Sequence, residues 1–231
     1  MGTRAWQTIA LKTPGSALRT VESLSKEEAA RIAAALGKNP VSIKECTLSD
    51  AFREVGSRSK MTAIGAYRSG YFVLDFDIAN ELVCSSRHSK RIVDALCAPD
   101  IAAVFAHSVS SAWGYAIYRN GSLLRASAGG DGEWYINRGN PLPDFEPGLV
   151  GSKVEETKAG YRLCDVAEDE DACGYEIGDD AANLITDAYI STDLWFESRC
   201  SLFERRGLIS RCLGSIFPNS AYNQNPDRGS D

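Results

Sequence analysis

The residues of this chain best spaced for chemistry are its paired carboxylates: Asp75/Asp77, Asp131/Glu133, Asp144/Glu146 and Glu155/Glu156. Residues two apart on a strand share a face. Asp75 and Asp77, read as the end of a strand, are therefore expected side by side. Two acids so placed can hold a metal ion or divide the roles of general acid and base. The same pattern also marks the solvent side of a half-buried strand. A reading as a small hydrolase or transferase rests on Asp75/Asp77 or on Asp131/Glu133.

Other chemistries find less to work with. There are two histidines. His88 lies among Arg87, Lys90 and Arg91, as a surface residue would. His107 ends an apolar run and precedes Ser108, Ser110 and Ser111, but no Gly-x-Ser-x-Gly elbow accompanies it. The cysteines and histidines show no zinc-ligand spacing. Asp169-x-Asp171-x-Cys173-Gly174, with Asp180 at the twelfth place, approximates a calcium loop and departs from it at the fifth and twelfth places. Gly129-Gly130-Asp131-Gly132 lacks the Lys-Ser/Thr of a phosphate-binding loop and precedes a strand, so it reads as a turn. No catalytic residue, metal ligand or cofactor is assigned.

Binding is the better-supported class. Trp113, Tyr115, Tyr118, Trp134, Tyr135 and Phe145 gather around one central segment. Tyr, Trp and Arg dominate contact hot spots. Tyr118, Arg119, Asp131, Glu133, Trp134 and Asp144 are the candidate binding residues, provided that the face carrying Tyr118 is exposed. The net charge of −6, from 25 basic and 31 acidic residues, disfavours nucleic acid and suits a basic protein partner. No run reaches the ~20 apolar residues of a membrane helix, and residues 1–10 do not read as a secretory leader. Seven cysteines, an odd number without C-x-x-C, suit buried thiols in a cytoplasmic protein. Spacing leaves Cys200 with Cys212, or Cys164 with Cys173, as conceivable neighbours.

These residues must be positioned by a mixture of helices and antiparallel strands. Residues 4–12 read as a strand. Ser25 caps a helix over Lys26–Leu36, with Glu28 at the third position of a capping box. A short helix is expected at Leu48–Val55, capped by Thr47 or Ser49. Thr62–Tyr67 and Tyr71–Asp77 form a hairpin, and Ser86–Leu96 a helix. Ile101–His107 is a buried strand. Trp113–Arg119, the turn Asn120-Gly121, Ser122–Ser127 and Glu133–Asn137 make a meander, because Asn-Gly suits the positive φ angles of a type I′ turn. Lys153–Ala159 is expected to form one or two helical turns. Residues 165–180 read as a solvated acidic loop. Asp179 or Asp180 then caps a helix over Ala181–Tyr189, with Leu184, Ile185 and Ala188 inward. Leu202, Phe203, Leu208, Ile209 and Leu213 suggest a last helix. The fold class is α+β: a central antiparallel sheet with helices on at least one face. It forms a single domain over residues 1–217, followed by a disordered tail, 218–231.

The segments Trp113–Arg125, Asp131–Trp134, Gly139–Pro143 with Glu146, and Gly178–Ala181 together resemble a group of uncharacterised bacterial domain families. These carry an Arg-Asn-Gly-x-Leu-x-Arg hairpin, Asp-Gly-Glu-Trp, Pro-Leu-Pro and a Gly-Asp-Asp-Ala helix. The resemblance spans residues 101–195, leaves the first hundred residues unplaced and implies no activity. The function expected is a non-catalytic bacterial protein-binding module, of the kind that neutralises a toxin as an immunity protein. The alternative is the carboxylate hydrolase or transferase.

Overall fold

The first strand, β1 (Arg4–Leu11), sits near the middle of a sheet rather than at its edge. Its residues are buried on both sides, from Trp6 to Leu11. The computed structural model describes residues 4–19, 22–55, 61–107, 112–130, 133–150, 152–157, 160–163, 175–190 and 198–205. Within them the elements after β1 are α1 (Lys26–Ala35), β2 (Lys38–Thr47), α2 (Leu48–Glu54), β3 (Met61–Ala66) and β4 (Gly70–Leu74). Next come α3 (Phe76–Cys84), α4 (Ser86–Leu96), β5 (Asp100–His107), β6 (Ala112–Arg119), β7 (Ser122–Gly130) and β8 (Glu133–Arg138). The last are β9 (Val154–Glu156), β10 (Tyr161–Leu163), α5 (Tyr175–Tyr189) and β11 (Arg199–Arg205).

Among the described residues the strands form one 11-stranded sheet in the order β2-β11-β3-β4-β1-β5-β6-β7-β8-β10-β9. Every pairing is antiparallel. The protein is thus α+β, and helices cover both faces. On one face Trp6 meets Phe76 of α3 edge-on at 5.7 Å, and Tyr71 donates to Glu28 of α1 at 2.5 Å. On the other face Gln7 donates to Thr186 of α5 at 2.6 Å, and Phe52 of α2 meets Phe72 at 6.4 Å. A sheet covered on both sides has apolar residues at successive positions, which explains the unalternating runs of β4 and β5.

Local chemistry explains several boundaries. Ser25 accepts from the Glu28 N–H at 3.4 Å and starts α1. The capping box stays open, because the Ser25 N–H donates to the Ala66 carbonyl instead. Glu28 is engaged by the Arg31 guanidinium at 2.9 and 3.0 Å and by Tyr71. Those hydrogen bonds, Arg31 first, hold the Glu28 carboxyl down at about 2 against an ordinary 4.5. A depressed carboxylate stabilises the fold fully above its ordinary pKa, and that share is lost as pH falls from about 4.5 to 2. The pair lies near the surface, so E28Q is expected to cost under ~1 kcal/mol at neutral pH. Urea unfolding across pH should show the gap between E28Q and the parent closing by about pH 2. A gap that stays constant with pH would contradict this origin.

The Asn120-Gly121 turn has both residues at positive φ, 49° and 79°, as a type I′ hairpin requires. Thr47 caps α2 by accepting from the Asp50 N–H at 3.1 Å.

Other expectations are corrected. Asp75 and Asp77 are not on a strand. β4 stops at Leu74, Asp75 caps α3 by accepting from the N–H groups of Asp77 and Ile78, and Asp77 lies in the helix. Residues 38–47, unassigned from sequence, form the outermost strand β2, where Pro40 is tolerated because an edge needs fewer donors. Val154–Glu156 is a strand, not a helical turn, since it pairs with β10. Gly129 and Gly130 continue β7 rather than forming a turn.

α5 begins at Tyr175, so Asp179 and Asp180 lie within it and do not cap it. Its inner face is Ala181, Ala182, Ile185 and Tyr189, whereas Leu184 and Ala188 are exposed. Leu202 and Phe203 belong to strand β11, which is inserted between β2 and β3. Leu208, Ile209, Leu213, the tail 218–231 and residues 165–174 of the acidic segment lie outside the described residues.

Candidate functional site

Pairings across the sheet set a row of side chains on the face covered by α5. Gln7 is opposite Val104, Val104 opposite Tyr115, and Tyr115 opposite Ser127. Two residues before Ser127, on the same face, is Arg125, fully buried. A buried guanidinium is costly unless every donor is matched. Here its Nε donates to Glu146 Oε1 and Oε2 at 3.0 and 2.9 Å, and Nη2 donates to Oε1 at 2.7 Å. Nη1 donates to Asn137 Oδ1 at 2.5 Å and to the Gly139 carbonyl at 3.0 Å.

Glu146 is equally enclosed. It accepts from the Tyr115 hydroxyl and, at 2.9 Å, from the Leu142 N–H. Burial first, and then the Glu146 charge, push the Tyr115 hydroxyl well above the usual phenol range, so it stays a donor. Gly139 has φ +79°, and a Cβ there would strike the Leu124 carbonyl, so the bend that presents its carbonyl to Arg125 needs glycine.

Trp134 completes the cluster. Its indole N–H is shared between Ser127 Oγ at 2.8 Å and the Ile136 carbonyl at 2.7 Å, and Arg125 lies 6.0 Å from its ring. The last Arg of the hairpin motif, the Trp of Asp-Gly-Glu-Trp and the Glu after Pro-Leu-Pro are therefore one buried assembly. Its ionic groups are turned on each other. This is how a fold holds a loop to a sheet, and it leaves neither carboxylate oxygen of Glu146 free to act as base or nucleophile.

Two further buried carboxylates follow the same rule. Asp75 pairs with Lys38 of β2 at 2.9 Å, accepts from Thr62 of β3 and caps α3. Asp100 accepts from Tyr189 of α5 at 2.7 Å and lies 3.9 Å from Arg119. Each ties together elements far apart in sequence. The more open Glu81/His88 contact, 3.0 Å, joins α3 to an exposed imidazole on α4.

The sequence-predicted binding residues are scattered. Tyr118 is buried and donates to the Leu82 carbonyl of α3 at 2.6 Å, and Trp134 is buried as described. The exposed face that Tyr118 would need is covered by α3. Arg119, Glu133 and Asp144 are exposed. Arg119 pairs with Ser122 at the turn end of β7, whereas Glu133 pairs with Gly130 at its other end. At about 3.3 Å per residue these ends are some 25 Å apart. Asp131 lies outside the described residues, as do Ser108, Ser110 and Ser111.

Asp180 stands within α5, so the twelfth place of the approximate calcium loop is helical. Among the described residues no group of three or more His, Cys, Asp or Glu could hold a metal ion, and no helix is long and apolar enough to cross a membrane.

What sequence reasoning missed is the edge. Among the described residues β2 ends the sheet, and it carries Val41 and Ile43, 68% and 54% exposed, two residues apart. The alternation Val-x-Ile was the available signal, and Pro40 beside it obscured the strand.

Fold and buried cluster together define an antiparallel α+β scaffold in which Arg125, Trp134 and Glu146 hold a loop to the sheet. The chain belongs to a family of unknown function, DUF6928, whose model matches residues 6–157. That match takes in most of the first hundred residues, which the motif resemblance had left unplaced, and ends before the Gly178–Ala181 segment. No curated protein and no solved structure matches the chain.

Proposed function

We propose that the protein is a non-catalytic protein-binding module that engages its partner through the outer edge of β2. The exposed Val41 and Ile43 on that edge carry the reading. An edge strand offers unpaired backbone donors and acceptors to which an extended segment can add, and alternate side chains supply specificity. The net charge of −6 supports a basic partner, and an immunity protein that neutralises a basic toxin in a bacterial cytoplasm is the form of the reading that fits best. The carboxylates behind the enzymatic alternative lend it less: Asp75 is already matched by Lys38, and Asp77 lies within α3 rather than beside it on a strand.

The test is capture from a bacterial lysate on the immobilised full chain, run beside the V41D/I43D variant. A basic protein retained by the parent and weakened at least ~10-fold by the variant, with unchanged thermal unfolding, is the expected result. Equal capture by both chains, or no capture together with turnover of a small molecule, would overturn the proposal.

A further inference from the structure

Cys46 of β2 and Cys200 of β11 stand directly opposite each other in the sheet. Their sulfur atoms are 3.8 Å apart, both are buried, and the Cys200 thiol lies 3.7 Å from the Cys46 carbonyl oxygen. Neither was paired with the other by sequence spacing, since 154 positions separate them. Directly opposed residues in antiparallel strands have Cβ atoms roughly 4.5–5.5 Å apart, and a disulfide needs roughly 3.5–4.5 Å. The remaining approach is small. It falls on β2, which among the described residues has no strand on its other side, and the register beyond Leu202 is already irregular. An outermost strand can move where a central one cannot.

We propose that Cys46 and Cys200 are a reversible disulfide site that fastens the outermost strand of the sheet to its neighbour. The oxidant is a small-molecule disulfide of the glutathione class. The Cys46 thiolate attacks one sulfur of oxidised glutathione, forming a mixed disulfide and expelling one glutathione thiolate. The Cys200 thiolate then attacks the Cys46 sulfur and expels the second. Two protein thiols become one disulfide, oxidised glutathione becomes two reduced molecules, and the two thiol protons pass to the departing thiolates. Burial pushes both thiols up in pKa, Cys200 strongly. Exchange therefore proceeds through opening of the β2 edge and is slow in the closed sheet. The site stands on geometry independent of the binding proposal.

The full chain is incubated with oxidised glutathione, both folded and during refolding from denaturant, and the free thiols are then alkylated. Peptide mapping is expected to show a Cys46–Cys200 cross-linked peptide, reversed by dithiothreitol. Amide hydrogen exchange in β2 should slow at least ~10-fold in the oxidised chain, with no such change in C200S. Should C200S fail to fold, the dithiothreitol-treated parent serves as the comparison. Cys46 and Cys200 both reduced after the two treatments, or a lasting glutathione adduct on either, would overturn the proposal.

Discussion

Replacement of Arg125 by methionine is expected to destabilise the fold by about 3–5 kcal/mol. In the parent protein the guanidinium and the Glu146 carboxylate neutralise each other, both fully buried from bulk solvent. Methionine fills much of the volume but leaves Glu146 with only the Tyr115 hydroxyl and the Leu142 N–H. Asn137 Oδ1 and the Gly139 carbonyl lose their donor as well. The cost is that of an uncompensated buried charge rather than of lost contact area. Urea denaturation followed by far-UV circular dichroism measures it directly. A loss below ~1 kcal/mol would mean that water reaches Glu146.

Asp75→Ala is expected to cost about 3 kcal/mol or more. It removes an N-cap, worth ~1 kcal/mol, and leaves the Lys38 ammonium, 6% exposed, without its 2.9 Å partner. Thr62 Oγ1 loses its acceptor too. Because Lys38 opens β2 and Asp75 opens α3, the damage should not be confined to one element. Hydrogen exchange is expected to rise first in β2 and at the start of α3. The double variant K38M/D75A should recover part of the loss, since it no longer buries a lone charge. If D75A and K38M/D75A were equally unstable, the cap alone would account for the effect.

Much of the architecture could be read in the chain because it is set locally. The Asn120-Gly121 turn, the Ser25 cap and α4 at Ser86–Leu96 depend on residues within a few positions of one another. What could not be read depends on partners far away. Tyr71–Asp77 looks like one continuing strand until Asp75 is seen capping α3 against Lys38 and Thr62. β11 looks helical because the adjacent residues Leu202 and Phe203 are both buried, in a strand that lies between β2 and β3 with α1 and α2 packed against it.

The site followed the same division. Arg125, Trp134 and Glu146 stood out as motif residues, yet nothing in their spacing told that they meet one another beneath α5 and the 139–150 loop. Adjacency in the chain puts Tyr118 and Arg119 together. Alternation then sent Tyr118 to the Leu82 carbonyl and Arg119 to Asp100 on the opposite face.

Arg125 and Glu146 form a buried ionic brace between the sheet and the loop that follows β8. Its most direct measurement is the urea unfolding of a double-mutant cycle: parent, R125M, E146Q and R125M/E146Q. The predicted result is a coupling of at least ~2 kcal/mol, with the double variant losing less than the two single losses combined. Strictly additive losses, or single variants as stable as the parent, would show that Arg125 and Glu146 do not hold each other, and that Glu146 is free for some other task.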